Sequence, residues 1–369
     1  MLFDGIEVDV LSVGDADAIV VTQWTNAFGP FRVLIDGGST SDAETVLAFL
    51  HSRGFTNLYA VVCTHPHIDH AGGLIEVAKD RSITISTAWM HDIRNHVSED
   101  ALRRASSGTS SQAEGVRQVV ETTKELASAF NSRGITPQEP FAGLSICGVP
   151  SLTVLGPTLP FYNSVLREFT QAKVPTIPSP FWPAAAVLGG GKNTRSPFGL
   201  IPPPIASPLP YPLSGILKNS SVKENPTTQP FNNTSVILGG LFNGQTLLFT
   251  ADAGADAIGR IPNQWEDLAW MQVPHHGSDG NLSQDLIERF RPKFANISAC
   301  GDSSHPDRAI VSGLVKVGSQ VFSTHLSGNL QFHIGNVPYR PDYEPAVPMR
   351  GTGSPLPFSG LGGLLLKGR

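Results

Sequence analysis

Short apolar runs between glycine- and proline-bearing turns organise the first part of the chain. Ile6 to Val13 alternates well enough for a strand, and Ala18 to Thr22 and Phe31 to Ile35 follow as β-branched or apolar runs, with turns at Gly14 and Gly37-Gly38. The period then changes. Val46, Leu47, Phe49 and Leu50 share one helical face behind a capping pair of Ser41 and Glu44, and Gly54 ends the helix. Tyr59 to Cys63 reads as a further strand, Leu74, Ile75 and Val77 mark a short helix after Gly72-Gly73, and Val116, Val119, Val120, Leu126 and Phe130 predict a longer helix over 112–132. Leu152 to Leu155 is another short buried strand.

From 157 to 231 the pattern breaks. Stretches such as Pro175-Thr176-Ile177-Pro178 and Ile201-Pro202-Pro203-Pro204-Ile205 forbid helix interiors and central strands, which predicts an insertion wrapped on the surface. Phe181, Trp182, Phe198, Leu200, Leu209 and Tyr211 make it too apolar for a linker, so it packs on the body either as a lid or as a plain covering. Alternation then resumes. Ser235 to Leu238 and Thr246 to Thr250 form a hairpin around Asn243-Gly244, followed by a strand at 271–274, a helix at 283–290, a strand at 294–299 and a helix at 306–315. The expectation is one α/β domain over 1–335, interrupted by 157–231, with an irregular tail over 336–369. The two halves share one architecture and can face each other as layers across a common site.

Composition adds limits. The 369 residues are 40% apolar and 15% charged, a globular balance with ample core, and Gly 37 and Pro 30 imply many turns. A net charge of -5 gives no general attraction to polyanions, so nucleic-acid binding requires a local patch, for which Arg94, Arg103, Arg104, Arg289, Arg291 and Lys293 are the candidates. Cys63, Cys147 and Cys300 are too scattered for a disulfide framework and read as buried small hydrophobes. The first residues lack a basic region and apolar core, and no run approaches a membrane span, which predicts a cytoplasmic protein with no membrane partner.

The chemistry concentrates in Thr64-His65-Pro66-His67-Ile68-Asp69-His70-Ala71-Gly72-Gly73, directly after a strand. On a chain leaving a strand, His65 and His67 point the same way, while Asp69 and His70 curl back toward a second position, which is the outline of two metal sites. Two ions need further donors. Asp252, on a turn after Leu247-Leu248-Phe249-Thr250, is the candidate bridge, because the two oxygens of a carboxylate can serve both ions. His275 and His305, each in a loop after a strand, are the leading further donors. Adjacent side chains diverge at a strand end, so His276 ranks behind them and is the candidate to face the substrate and protonate the leaving oxygen; His91 ranks last. Asp36, at a strand end before Gly37-Gly38, is placed to anchor a ligating histidine. His51, His96, His325 and His333 have no partner motif.

This set, with Leu34-Ile35-Asp36-Gly37-Gly38 upstream and Asp252 downstream, resembles the metallo-β-lactamase superfamily of dinuclear hydrolases. Within it, Asp9 to Ala18, Asn232-Asn233-Thr234-Ser235 and Val273-Pro274-His275-His276-Gly277-Ser278 look like the hydrolase domain of ComEC/Rec2 competence proteins and their free-standing relatives. The resemblance covers most of residues 5 to 335 outside the insertion. It implies a four-layer αββα sandwich of two mixed sheets, with two divalent ions, zinc or manganese, at one edge. Competence-type domains are similar to nucleases and other His-His-Gly members to phosphocholine esterases. The expected activity is therefore hydrolysis of a small-molecule or nucleic-acid phosphodiester by a hydroxide held between the ions, with Asp69 and His276 in the catalytic set. Two alternatives stand beside it: hydrolysis of a carboxylic ester, lactone or amide on the same ions, and a non-catalytic metal-binding regulatory module. In the lactamase branch a histidine between the first motif and the bridging acid completes one site, and His91 is the residue placed for that.

Overall fold

The computed structural model describes residues 3–27, 29–147, 151–170, 221–302, 304–350 and 365–368. The proline-rich stretch with Phe181, Trp182, Phe198, Leu200, Leu209 and Tyr211, and with it the expected lid, lies outside them.

Two mixed sheets face each other. The first has the spatial order Tyr343–Pro345, Leu365–Gly368, Leu330–Asn336, Asp4–Val10, Ile19–Trp24, Phe31–Ile35, Asn57–Val62, Thr84–Trp89. The second runs Gln320–Ser323, Phe294–Ile297, Trp270–Gln272, Gln245–Phe249, Ile237–Phe242, Leu152–Gly156, Ser145–Cys147. Period-two burial explains the pairing. Val8, Ile19, Val21, Val33 and Val62 meet Val154, Leu238, Leu247, Phe249 and Trp270 in one core between the sheets. The outward face of the first sheet, with Val20, Leu34 and Val61, is covered by helices Ala43–Ser52, Ile68–Lys79 and Ser111–Asn131. Helices Gln284–Phe290 and Arg308–Lys316 cover the second sheet over Leu248, Met271 and Ala295. The result is the αββα sandwich. Among the described residues no helix is long and apolar enough to cross a membrane.

Parallel strands place the chemistry. Phe31–Ile35, Asn57–Val62 and Thr84–Trp89 run parallel in the first sheet, and Gln245–Phe249, Trp270–Gln272 and Phe294–Ile297 in the second. Residues following their carboxyl ends, Asp36, His65 and His91 in one sheet and Asp252, His275 and Ser298 in the other, therefore gather by sheet at one edge.

Several expectations change at this level. The helix after the histidine motif begins at Ile68, so Asp69 and His70 form its first turn. The capping pair at the preceding short helix is Ser39 with Asp42, two residues before Ser41 with Glu44, because a 3-10 turn at Thr40–Asp42 leads into the α-helix. The tail is not wholly irregular: Tyr343–Pro345 and Leu365–Gly368 extend the first sheet, pairing with one another and, through the latter, with Leu330–Asn336. The insertion also contributes regular structure, since Leu159–Thr170 is helical. Cys63 is buried as expected, but Cys300 is exposed at a loop.

Candidate metal centre

Close backbone contact builds the first half of the site. A Cβ on Gly73 would lie 1.8 Å from the Gly37 carbonyl oxygen, and one on Gly72 2.4 Å from the Thr40 nitrogen. Only glycines let the helix Ile68–Lys79 sit this close to the Asp36-Gly37-Gly38 turn, and this contact sets Asp36 beside His70. Asp36 Oδ2 accepts from His70 Nδ1 at 2.8 Å and from Thr64 Oγ1 at 2.6 Å, and Asp36 Oδ1 accepts the Thr64 amide.

The same arrangement recurs at His65, His275 and His276. Since the Thr64 hydroxyl donates to Asp36, it accepts from His65 Nδ1, with the Ser235 hydroxyl also in reach at 3.4 Å. Asn281 donates its Nδ2 to the carbonyls of Asp252 and Ala253, so its Oδ1 accepts from His275 Nδ1 at 2.9 Å. His276 Nδ1 donates to the Ser298 carbonyl at 3.1 Å. With every Nδ1 proton committed, this network assigns a bare Nε2 to all four rings.

Those Nε2 atoms divide between the two oxygens of Asp252. His65 lies 3.9 Å and His275 3.6 Å from Oδ2, whereas His70 lies 3.3 Å and His276 3.9 Å from Oδ1. His67 Nδ1 is 3.0 Å from His65 Nε2 and joins the first group. Asp69 Oδ2 is 3.7 Å from His70 Nε2 and 3.8 Å from His276 Nε2 and joins the second, in which the four residues offer donor atoms all within 4.8 Å of one another. Two donor sets thus share one carboxylate.

The chemistry of these sets fits divalent cations. His70 Nε2, His276 Nε2 and Asp252 Oδ1 are buried and meet no hydrogen-bond partner among the described residues; the 3.3 Å approach of His70 to Asp252 is not directed as a hydrogen bond. Lone pairs left unmade in a protein interior cost about 1–3 kcal/mol each. Nitrogen and carboxylate oxygen in sets of four suit divalent transition-metal ions. Electrostatics agree. Burial opposes ionisation of Asp252, yet His70 and His276 beside it hold its carboxyl well below the usual range. Burial likewise opposes charge on His276, but Asp252 and Asp69 outweigh it and push the pKa up to about 9. The pocket draws positive charge, and a proton and a cation compete for the same lone pair.

The backbone bends sharply to make this possible. Asp36, Ala251, His275 and His276 all adopt positive φ without being glycine. At His275 and His276, with φ of 50° and 57°, two consecutive left-handed residues turn both rings onto Asp252. The neighbours therefore do not diverge as strand geometry predicts. His276, expected to protonate a leaving oxygen, offers a lone pair inside the second donor set.

The remaining candidates fall elsewhere. His305 pairs with Asp15 at 3.1 Å, outside the convergence on Asp252. His91 is buried between the rings of Tyr162 and Phe141, at 4.4 and 4.6 Å, and burial lowers its pKa to about 3. His275, and not His91, lies with His65 near Asp252 Oδ2. The basic residues are engaged locally: Arg94 with Asp92, Arg103 and Arg104 with Asp100, Arg291 with Asp267, and Arg289 with the Ile261 and Pro262 carbonyls.

Sequence reading missed the supports. Asn281, the Ser298 carbonyl and the Gln272–Asp17 pair act only through tertiary contact. Gln272 accepts the Thr250 and Ala251 amides and donates to Asp17 at 2.7 Å, tying the two sheets together behind the centre. Phe231, 5.3 Å from the His67 ring and backed by Phe169, walls the first donor set.

Comparison with known proteins follows this geometry. A family model described as Metallo-beta-lactamase superfamily matches residues 31–130, the span holding Asp36 and the first histidine motif. A stretch of 117 residues is 26% identical to ComE operon protein 3 of Bacillus subtilis (strain 168), covering 31% of this chain and 15% of that protein's length. Among solved structures, the metallo-beta-lactamase fold protein YhfI from Bacillus subtilis has a TM-score of 0.40 at 10% identity, over 86% of this chain and 96% of that one. Zn(2+)-bound PqqB from Methylobacterium extorquens has a TM-score of 0.37 at 10% identity, over 83% and 85%. A diphosphatase from the PhnP family has a TM-score of 0.32 at 11% identity, over 76% and 72%.

Proposed function

We propose that this chain, a ComEC-like member of the metallo-β-lactamase superfamily, is a phosphodiesterase that works through two divalent cations, zinc or manganese, sharing Asp252. The observation that carries this reading is the division of four Nε2 atoms between the two oxygens of one buried carboxylate. His65, His67 and His275 would hold one ion and Asp69, His70 and His276 the other. Paired divalent cations lower the pKa of water and stabilise the charge that builds on phosphoryl oxygens.

The chain's own residues supply order. Asp36, Asn281 and the Ser298 carbonyl fix the tautomers of His70, His275 and His276, so the donors need no rearrangement. Asp69, at 31% side-chain exposure against 2% for Asp252, is the carboxylate nearest the solvent side, where substrate enters. No protein nucleophile is called for. The similarity of the His275-His276-Gly277 element to competence-type and phosphocholine-esterase-type domains supports a phosphodiester, either small or nucleic.

Metal-loaded protein is expected to cleave bis(p-nitrophenyl) phosphate, and single-stranded DNA assayed across salt concentrations tests the nucleic-acid form. Turnover of carboxylic esters or lactones in place of any phosphodiester would transfer the same centre to carbonyl chemistry. Protein that cannot be loaded with metal would favour a non-catalytic role.

A further inference from the structure

His305 is held as firmly as the donors, but by other means. Its Nδ1 lies 3.1 Å from Asp15 Oδ2, while Asp15 Oδ1 accepts the Cys300 amide at 2.7 Å. Asp302 Oδ1 accepts the backbone N–H of His305 and of Ser304. Ring and backbone are thus both tied down, the ring by an acid from the first half of the chain. The ring centroid is 5.7 Å from that of His275 and 5.8 Å from that of His276. Since these two belong to different donor sets, His305 stands over the seam between the cation positions.

A carboxylate on Nδ1 would also suit a metal ligand. Two facts argue otherwise. Each set already counts four protein donors without His305, and a catalytic ion must also keep a position open for water. His65, His70, His275 and His276 each approach an oxygen of Asp252 within 4.0 Å, whereas the ion pair of His305 is with Asp15. Its side chain is 21% exposed, close to the 25% of His275, so it can be reached from solvent.

Resting on the two-ion reading above, we propose that His305 is a substrate-contacting residue of the centre and not one of its cation donors, with Asp15 as its positioning residue. Nδ1–H is committed to Asp15, so a contact with phosphate uses the doubly protonated ring, whose Nε2–H would donate to an oxygen of a phosphate group seated across His275 and His276. The partner chemistry is that of a tetrahedral phosphoryl oxyanion or its ester oxygen.

The test compares manganese-loaded wild type with His305→Gln, Asp15→Asn and the double variant. Metal per chain is measured by mass spectrometry, inorganic phosphate binding by calorimetry, and turnover with bis(p-nitrophenyl) phosphate. His305→Gln is expected to keep the wild-type metal content, bind phosphate more weakly and lose about 100-fold in kcat/KM, the scale of one lost polar contact to a reacting oxygen. Asp15→Asn is expected to lose about 10-fold, and the double variant no more than His305→Gln alone, because Asp15 acts through His305. One fewer ion in His305→Gln overturns the proposal in favour of a donor role. Wild-type metal content, phosphate affinity and turnover in that variant overturn it as well. If the wild type turns over no phosphodiester, the phosphodiesterase reading fails by itself, and His305 is still decided by phosphate affinity: weaker binding supports the contact, and unchanged binding removes it.

Discussion

One cluster of buried carboxylates lies on the first sheet and another at the edge where both sheets meet, and they solve the same physical problem differently. On the outward face of the strand Asp4–Val10, Glu7 is fully buried but receives Trp24 Nε1 at 2.5 Å, Gln331 Nε2 at 2.8 Å and Arg340 at 3.0 Å. Asp9, two residues on, has one oxygen without a hydrogen-bond partner among the described residues. Burial, reinforced by Glu7, pushes its pKa up to about 7, so it holds a proton through the acidic range. At the centre, Asp252 is as buried as Asp9, yet it is ringed by imidazole lone pairs. A buried carboxylate can be satisfied by protein donors, by a proton or by a cation, and burial alone does not reveal which. The convergence of bare nitrogens does.

The largest expected effect follows from removing the shared carboxylate. Asp252→Ala should lose both ions and at least about 10,000-fold in turnover, roughly 5.5 kcal/mol of transition-state stabilisation, while Asp9→Ala keeps metal content and turnover. Metal analysis with a bis(p-nitrophenyl) phosphate assay checks both, and equal losses in the two variants would erase the contrast.

The outer cluster should respond in stability instead. Arg340→Met strands Glu7 with only Trp24 and Gln331 to stabilise its charge, and is expected to cost about 3 kcal/mol by denaturant unfolding with metal binding unchanged.

Asp9 gives a pH signature of definite sign. Its folded pKa of about 7 stands above the ordinary 3.8, so between those values the folded chain holds a proton that the unfolded chain has released. Its contribution is fully present below about pH 4 and is lost as pH rises through about 7. Asp9→Asn should flatten that part of the stability curve and raise stability at pH 8 by on the order of 2 kcal/mol, less than the isolated shift implies because Asp9 is coupled to Glu7. An unchanged slope would mean that Asp9 does not carry the proton.

The smallest effect belongs to the supports. Asn281→Ala frees His275 to rotate and should weaken metal affinity by about 10–100-fold without unfolding the protein, as read by competition with a chelating dye.

How far the sequence speaks differs between these regions. The His65 to His70 motif was legible because its frame is linear, whereas the close approach of glycines 72 and 73 to the turn at 37 shows only in the fold. Asp252 and His275 were legible as strand-end residues. His276 was not assigned to the second donor set, because nothing local marks two consecutive left-handed residues there. His305 was read as a donor from the pattern of a strand leading into a loop histidine, which cannot show that its ring pairs with Asp15, 290 residues away. The outer cluster was silent for the same reason: Glu7 and Asp9 look like the polar positions of an alternating strand, and their cover arrives more than 320 residues later. Alternation located the layers, but the strands Tyr343–Pro345 and Leu365–Gly368 lay in a tail whose glycines and prolines read as irregular.

The central claim is that one carboxylate divides two cation positions. Anomalous diffraction from crystals of the manganese- or zinc-loaded protein tests it most directly. The account predicts two peaks flanking Asp252, one bonded by His65, His67 and His275 and the other by Asp69, His70 and His276, with His305 bonded to neither. A single peak, or two peaks not joined by Asp252, would contradict it.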